Sequence, residues 1–110
     1  METWDITSIE VEPRAPQVLR SAVEARVIVI NLPGGERLGD HQVHERAYLV
    51  VADGEVEVEG DGRTESGGPG FLAHFRANDR HEVRAKTDAR LLLILAPWPG
   101  AGHPRQRNAG

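Results

Sequence analysis

Histidine is the residue type with the most chemical reach in this chain, and its placement is uneven. His41 and His44 fall in the stretch Gly35 to Gly54, which leaves a glycine turn, enters a run of strand-forming residues and stops at Asp53-Gly54. His81 follows a second polar turn, with His74 before it and His103 near the C-terminus. A neutral imidazole ligates divalent metals and exchanges hydrogen bonds near neutral pH. Cysteine is absent, which excludes a thiolate nucleophile, a thiolate metal site and a disulfide framework. The order His41-Gln-Val-His44-Glu45 is not a helical zinc-protease motif, because that chemistry sets its glutamate differently and on a helix. Glu55, Glu57 and Glu59 alternate with Val56 and Val58, the spacing of a solvated strand face and not of a paired acid and base.

The elements that must hold these side chains read as strands. Ala25 to Asn31 carries β-branched residues in succession and ends at Pro33-Gly34-Gly35. Arg46 to Ala52 is a strand closed by Asp53-Gly54, a strong hairpin signal, and Glu55 to Glu59 is its partner. Arg63 to Ser66 reads as a short edge strand, Phe71 to Phe75 and His81 to Ala85 as further strands, and Arg90 to Ala96 as the last. Trp4 to Val11 alternates roughly and is expected to lie as a strand on a sheet edge, ended by Pro13 and Pro16. Gln17 to Glu24 is left as an irregular connector or a short strand. The chain divides into an N-terminal strand and connector (1–24), a barrel (25–96) and a Pro/Gly-rich tail (97–110), mobile unless Trp98 docks.

Short strands at regular spacing with glycine-rich turns indicate an all-β sandwich or barrel. The 110 residues bury roughly 65% of their unfolded surface, so no staple is needed. A net charge of -4 argues against binding nucleic acid by neutralising phosphates. No apolar run reaches membrane-spanning length and no signal peptide is read, so a cytoplasmic protein is expected. Val27–Ile30 and Leu91–Leu95 are apolar on both faces, which calls for a cover from a second subunit or a swapped N-terminal strand, and hence a homodimer.

The spacing of turns and histidines resembles a small single-domain cupin of the RmlC-like jelly-roll type. The first cupin motif runs glycine, five residues, His-x-His, three or four residues, glutamate, six residues, glycine. Here stand Gly35, His41, Val43 in place of the second histidine, Ala47 in place of the glutamate, and Gly54. The second motif runs glycine, five residues, Pro-x-Gly, two residues, histidine, and here stand Gly70, Arg76, Asn78 and His81. The resemblance covers roughly residues 25 to 96 and implies a double-stranded β-helix, commonly dimeric, with a pocket inside.

Cupins that bind iron, manganese, zinc or nickel do so through three histidines and a glutamate, and of those positions this chain keeps His41 and His81. A secure zinc site usually has at least three protein ligands. His44 is the third candidate, provided a bulge turns it inward against strand alternation. Glu45 shares the parity of His41, and His74 is more remote. In the alternative, His41 and His81 line a pocket and bond to each other, to water or to an organic ligand. Val43, Ala47, Leu49, Val51, Val56, Val58, Val83 and Ala85 would make that pocket largely apolar. Arg76, at its mouth, is a candidate for holding a carboxylate, against the plainer role of a solvated turn arginine. Three functions follow: a small-molecule-binding cupin, a metal-dependent dioxygenase or isomerase, and a filled structural barrel.

Overall fold

The computed structural model describes residues 1–41 and 43–104, with residues 39–41 described by backbone alone. The chain is all-β. Its strands are β1 (Gln17–Ser21), β2 (Arg26–Leu32), β3 (Arg37–His41), β4 (Arg46–Asp53), β5 (Val56–Gly60), β6 (Arg63–Gly67), β7 (Leu72–Phe75), β8 (His81–Ala85) and β9 (Ala89–Ala96). They form two sheets, in the orders β1-β2-β9-β4-β7 and β3-β8-β5-β6, and neighbours in both are antiparallel.

Alternation decides which side chains meet between the sheets. Ile30, Leu32, Leu49, Val51, Val56, Val58, Val83, Ala85, Ala89 and Leu91 form one buried cluster. Each buried Val, Ile or Leu contributes about 1.5–3 kcal/mol through loss of hydrated apolar surface. Of these, Leu49, Val51, Val56, Val58, Val83 and Ala85 were expected to line a pocket, but they pack against one another and against Ile30, Leu32, Ala89 and Leu91, and fill the half of the barrel nearest the turns after β4 and β8.

Several local expectations need correction. Trp4–Val11 is not a strand. Thr7 donates to Asp5 Oδ1 from its amide (3.2 Å) and hydroxyl (2.9 Å), and Ser8 and Ile9 donate to the Asp5 carbonyl. Such local bonds offer the backbone a turn in competition with a ladder. Gln17–Ser21 does pair, as the edge strand β1, and Arg37–His41 forms a strand where only a short segment was read.

The N-terminal chain lies over the outer face of the five-stranded sheet. The Arg90 guanidinium donates to the Ile6 and Ile9 carbonyls and to Asn31 Oδ1, while Asn31 Nδ2 donates to the Val11 carbonyl at 2.6 Å. On the same face Val29 has no solvent exposure. Further along, Tyr48, Val50, Leu72, Leu92 and Ile94 are adjacent by register and stay partly open, with Leu72 60% exposed. No helix among the described residues is long and apolar enough to cross a membrane.

The hairpin at Asp53-Gly54 shows why its turn residue is glycine. Gly54 has φ +83°, and a Cβ there would stand 2.2 Å from the Asp88 carbonyl oxygen and 2.7 Å from Ala89 Cα. Left-handed strain alone costs about 1–2 kcal/mol. Gly54→Ala is therefore expected to lower the unfolding free energy by at least about 2 kcal/mol in urea titrations. A loss below half that would mean the turn gives way easily.

Candidate functional site

The register gathers the chemistry-bearing residues at one end of the barrel. His41 is the Cα partner of His81, Gly60 also pairs with His81, Ala47 with Phe75 and Leu95, and Arg26 with Leu95. The His41 side chain lies outside the described residues, so its backbone position alone is assigned.

His81 is 7% exposed and opens β8. Its ring stacks on Phe75 from the opposite sheet, with centroids 4.0 Å apart and planes 9° apart. Its Nδ1 lies 3.3 Å from the Asp79 carbonyl oxygen. A carbonyl can only accept, so this contact favours the tautomer with the proton on Nδ1 and the lone pair on Nε2. Two clefts border this end. One, of about 300 Å³, lies in the seam between the unbonded edges β6 and β7 and includes Val58, Gly60, Phe71 and Phe75. The other, of about 330 Å³, is lined by Gly60, Asp61, Arg80, His81 and Glu82.

The remaining sequence candidates fall in different places. Ala47 is 1% exposed and faces inward, leaving room where a larger side chain would fill the barrel. The Val43 carbonyl accepts from the Asn78 amide at 2.8 Å, tying the segment before β4 to the turn before β8. Asn78 has φ +67°, a conformation that asparagine tolerates better than most residues and that glycine favours. Arg76 is 70% exposed at its side chain and pairs with Asp79 at 3.2 Å, the solvated-turn role. His74 sits on the outer face beside Tyr48, and the Arg46 guanidinium approaches its Nε2 at 3.3 Å.

His44 and Glu45 hold the C-terminal segment. The Glu45 carboxylate, 2% exposed, accepts from the Gly100 amide at 2.7 Å through Oε2. The His44 ring meets the His103 ring edge-on at 5.7 Å, and His103 in turn meets Trp98 at 4.7 Å. Trp98 donates its amide to the Val23 carbonyl and lies over the Arg26 guanidinium, 4.4 Å from Cζ to the ring centroid. Arg26 and Glu45 both have inward parity, so residues 97–104 cross the His81 end as a strap and are not a loose tail. His103 is one of its contacts. Arg26, Phe75 and Gly100 were missed. Arg26 has the parity of Ile28 and Ile30, but a strand apolar on both faces hides that signal.

Among the described residues no group of three His, Asp or Glu side chains is placed to hold a metal ion. Val43 and Ala47 bring no side-chain donor, the His44 ring is turned to His103, and Glu45 is bonded to Gly100. These residues do not fit a secure three-ligand site.

The Cupin_2 family model, a cupin domain, matches residues 27–96. An L-ectoine synthase of Oceanobacillus iheyensis is 34% identical over 53 residues, which are 48% of this chain and 41% of that protein's length. An RmlC-like cupin from Desulfovibrio desulfuricans superposes with a TM-score of 0.78 at 21% identity, over 88% of this chain and 97% of that one. TT1209 of Thermus thermophilus gives 0.78 at 22% identity, covering 88% and 98%. The Cnp3 cupin domain of Schizosaccharomyces pombe gives 0.76 at 14%, covering 86% and 68%. At these identities the structural likeness is one of fold.

Removing the buried acceptor should release the strap. Glu45→Ala is expected to cost about 1–3 kcal/mol and to speed hydrogen exchange at residues 98–103, with Glu45→Gln, which keeps an acceptor, milder. Gly100→Ala, whose Cβ would meet the His44 carbonyl oxygen at 2.3 Å, should have the same effect on exchange. Unchanged exchange in both Glu45→Ala and Gly100→Ala would show that the segment is held by other contacts.

Proposed function

The chain belongs to the cupin family, and on that footing we propose that it binds a small organic molecule at the His81 end of its barrel. The observation that carries this reading is the buried His81 ring, held flat on Phe75 beside clefts of about 300 Å³. That volume is at the lower bound of small-molecule pockets, and the linings set Val58, Phe71 and Phe75 beside the polar Asp61, Arg80, His81 and Glu82, which suits a ligand with both apolar and polar groups. In this reading the His81 ring orients the ligand, Phe75 and Ala47 shape the wall, and the His41 backbone is the ladder partner of His81.

A second reading, a metal-dependent cupin enzyme, draws support from the likeness to an L-ectoine synthase. The ion would rest on His41 and His81 and need water or the ligand to complete its shell, so no step is routed through it. Metal analysis of the purified protein is expected to give well under one equivalent, unchanged in His41→Ala and His81→Ala. Stoichiometric metal that both substitutions remove would favour the enzyme.

Thermal-shift screening of aromatic and carboxylate metabolites tests binding directly. A ligand at a hundredfold above its Kd adds about 2.7 kcal/mol. In a domain of this size that raises the Tm by roughly 10 °C or more, and His81→Ala should abolish the shift. No response from any compound would favour a barrel filled by its own side chains.

The open part of the outer face, Tyr48, Val50, Leu72, Leu92 and Ile94, we assign to a second copy of the chain. One contiguous apolar patch meeting its own copy satisfies a two-fold interface. Light scattering on a sizing column is expected to give a dimer at micromolar concentration, and a monomer would remove the assignment.

A further inference from the structure

Arg26 is a cation to which the described residues offer no acceptor. Among the described residues its guanidinium has no hydrogen bond and no carboxylate within 4.0 Å, and its Nε is buried without a partner. Arg14, Arg37 and Arg76, all exposed, instead pair with Glu36, Glu82 and Asp79 at 2.7, 2.9 and 3.2 Å. Taking a guanidinium partly out of water without an acceptor is unfavourable, and the face of Trp98 recovers part of that.

Its direction follows from register. Arg26 pairs with Leu95, Ile28 with Leu93 and Ile30 with Leu91, and Ile30 and Leu91 belong to the core. Alternation therefore puts Arg26 on the inner face, at the end where His81 opens β8 on the facing sheet. Of the inner-face positions near it, Ile28, Ala47, Phe75 and Leu95 are uncharged, and the one carboxylate among the described residues there, Glu45, accepts from the Gly100 amide.

We propose that Arg26 receives the carboxylate of a small monocarboxylic acid whose uncharged body extends towards His81. This rests on the ligand-binding reading and narrows it to a chemical class. The planar fork of a guanidinium matches the two oxygens of a carboxylate. A single guanidinium neutralises one negative charge, and the Glu45 carboxylate at the same end disfavours a phosphate dianion. Packed sheets stand about 10 Å apart, so a ligand touching both needs a body of several atoms.

The chain has two tryptophans, and Trp4→Phe leaves the indole N–H of Trp98 as a single reporter in 1H–15N spectra. Butyrate and benzoate would be titrated to tens of millimolar, with butyramide, benzamide and inorganic phosphate as controls. The acids are expected to shift the Trp98 signal and the controls to leave it in place. Arg26→Met, checked for folding by its thermal transition, should weaken the acids by at least about tenfold, and Arg26→Lys by less. If Arg26→Met fails to fold, weakening by Arg26→Lys carries the test. Amides binding as well as acids, or acids undiminished in the folded variant, would overturn the carboxylate assignment while leaving ligand binding intact. Phosphate binding as tightly as the acids through Arg26 would replace it with a general anion site. Silence from all five probes would overturn it, and if the wider metabolite screen is silent too, the ligand-binding reading falls with it.

Discussion

The structure depends on an uneven filling of the space between its sheets. Towards the turns after β4 and β8, valine, leucine and isoleucine from both sheets close the interior. That packing secures the sheets well enough for the other end to carry Gly60, Ala47, Arg26, Glu45 and His81, residues that contribute little apolar volume or carry polar groups. Placing those groups throughout the interior would leave each of them to find a partner out of water. Confining them to one end lets the apolar half supply stability while the polar groups find their partners at the rim.

The polar end is organised by two different contacts. The stack of His81 on Phe75 joins the sheets across the gap and fixes the imidazole plane. The bond from the Gly100 amide to Glu45 joins the C-terminal segment to the start of β4. Glu45 has the parity of a pocket residue, yet its carboxylate is occupied by the backbone, so a buried acid here is structural. The histidines divide similarly: His81 is an interior group, His44 and His103 belong to the strap, and His74 belongs to the outer face.

Much of this fold was legible in the sequence, because strand alternation and turn chemistry are local. The spacing that suggested a cupin rests on turns, and it survives where a side chain differs: Asn78 stands where the motif has glycine and still takes a left-handed φ. What the sequence hid depended on tertiary context. Trp4–Val11 alternates, yet the Asp5 side chain bends it into a turn. The Pro/Gly-rich run from Pro97 has no periodicity, so nothing local shows that a buried glutamate 55 residues earlier would grip it. Arg26 opens a strand apolar on both faces, where side-chain type cannot say which face is inside until β9 supplies the register.

The β-structure is not closed into a continuous ladder: β6 ends one sheet, β7 ends the other, and among the described residues no strand bonds them together. Such unpaired borders invite strands of other molecules to add on and propagate. β6 reads Arg-Thr-Glu-Ser-Gly with its first four residues exposed, so a growing fibril would have to stack charged side chains against its own repeats. The gap that gives solvent a way towards Phe75 is thus bordered on its β6 side by residues ill-suited to templated aggregation.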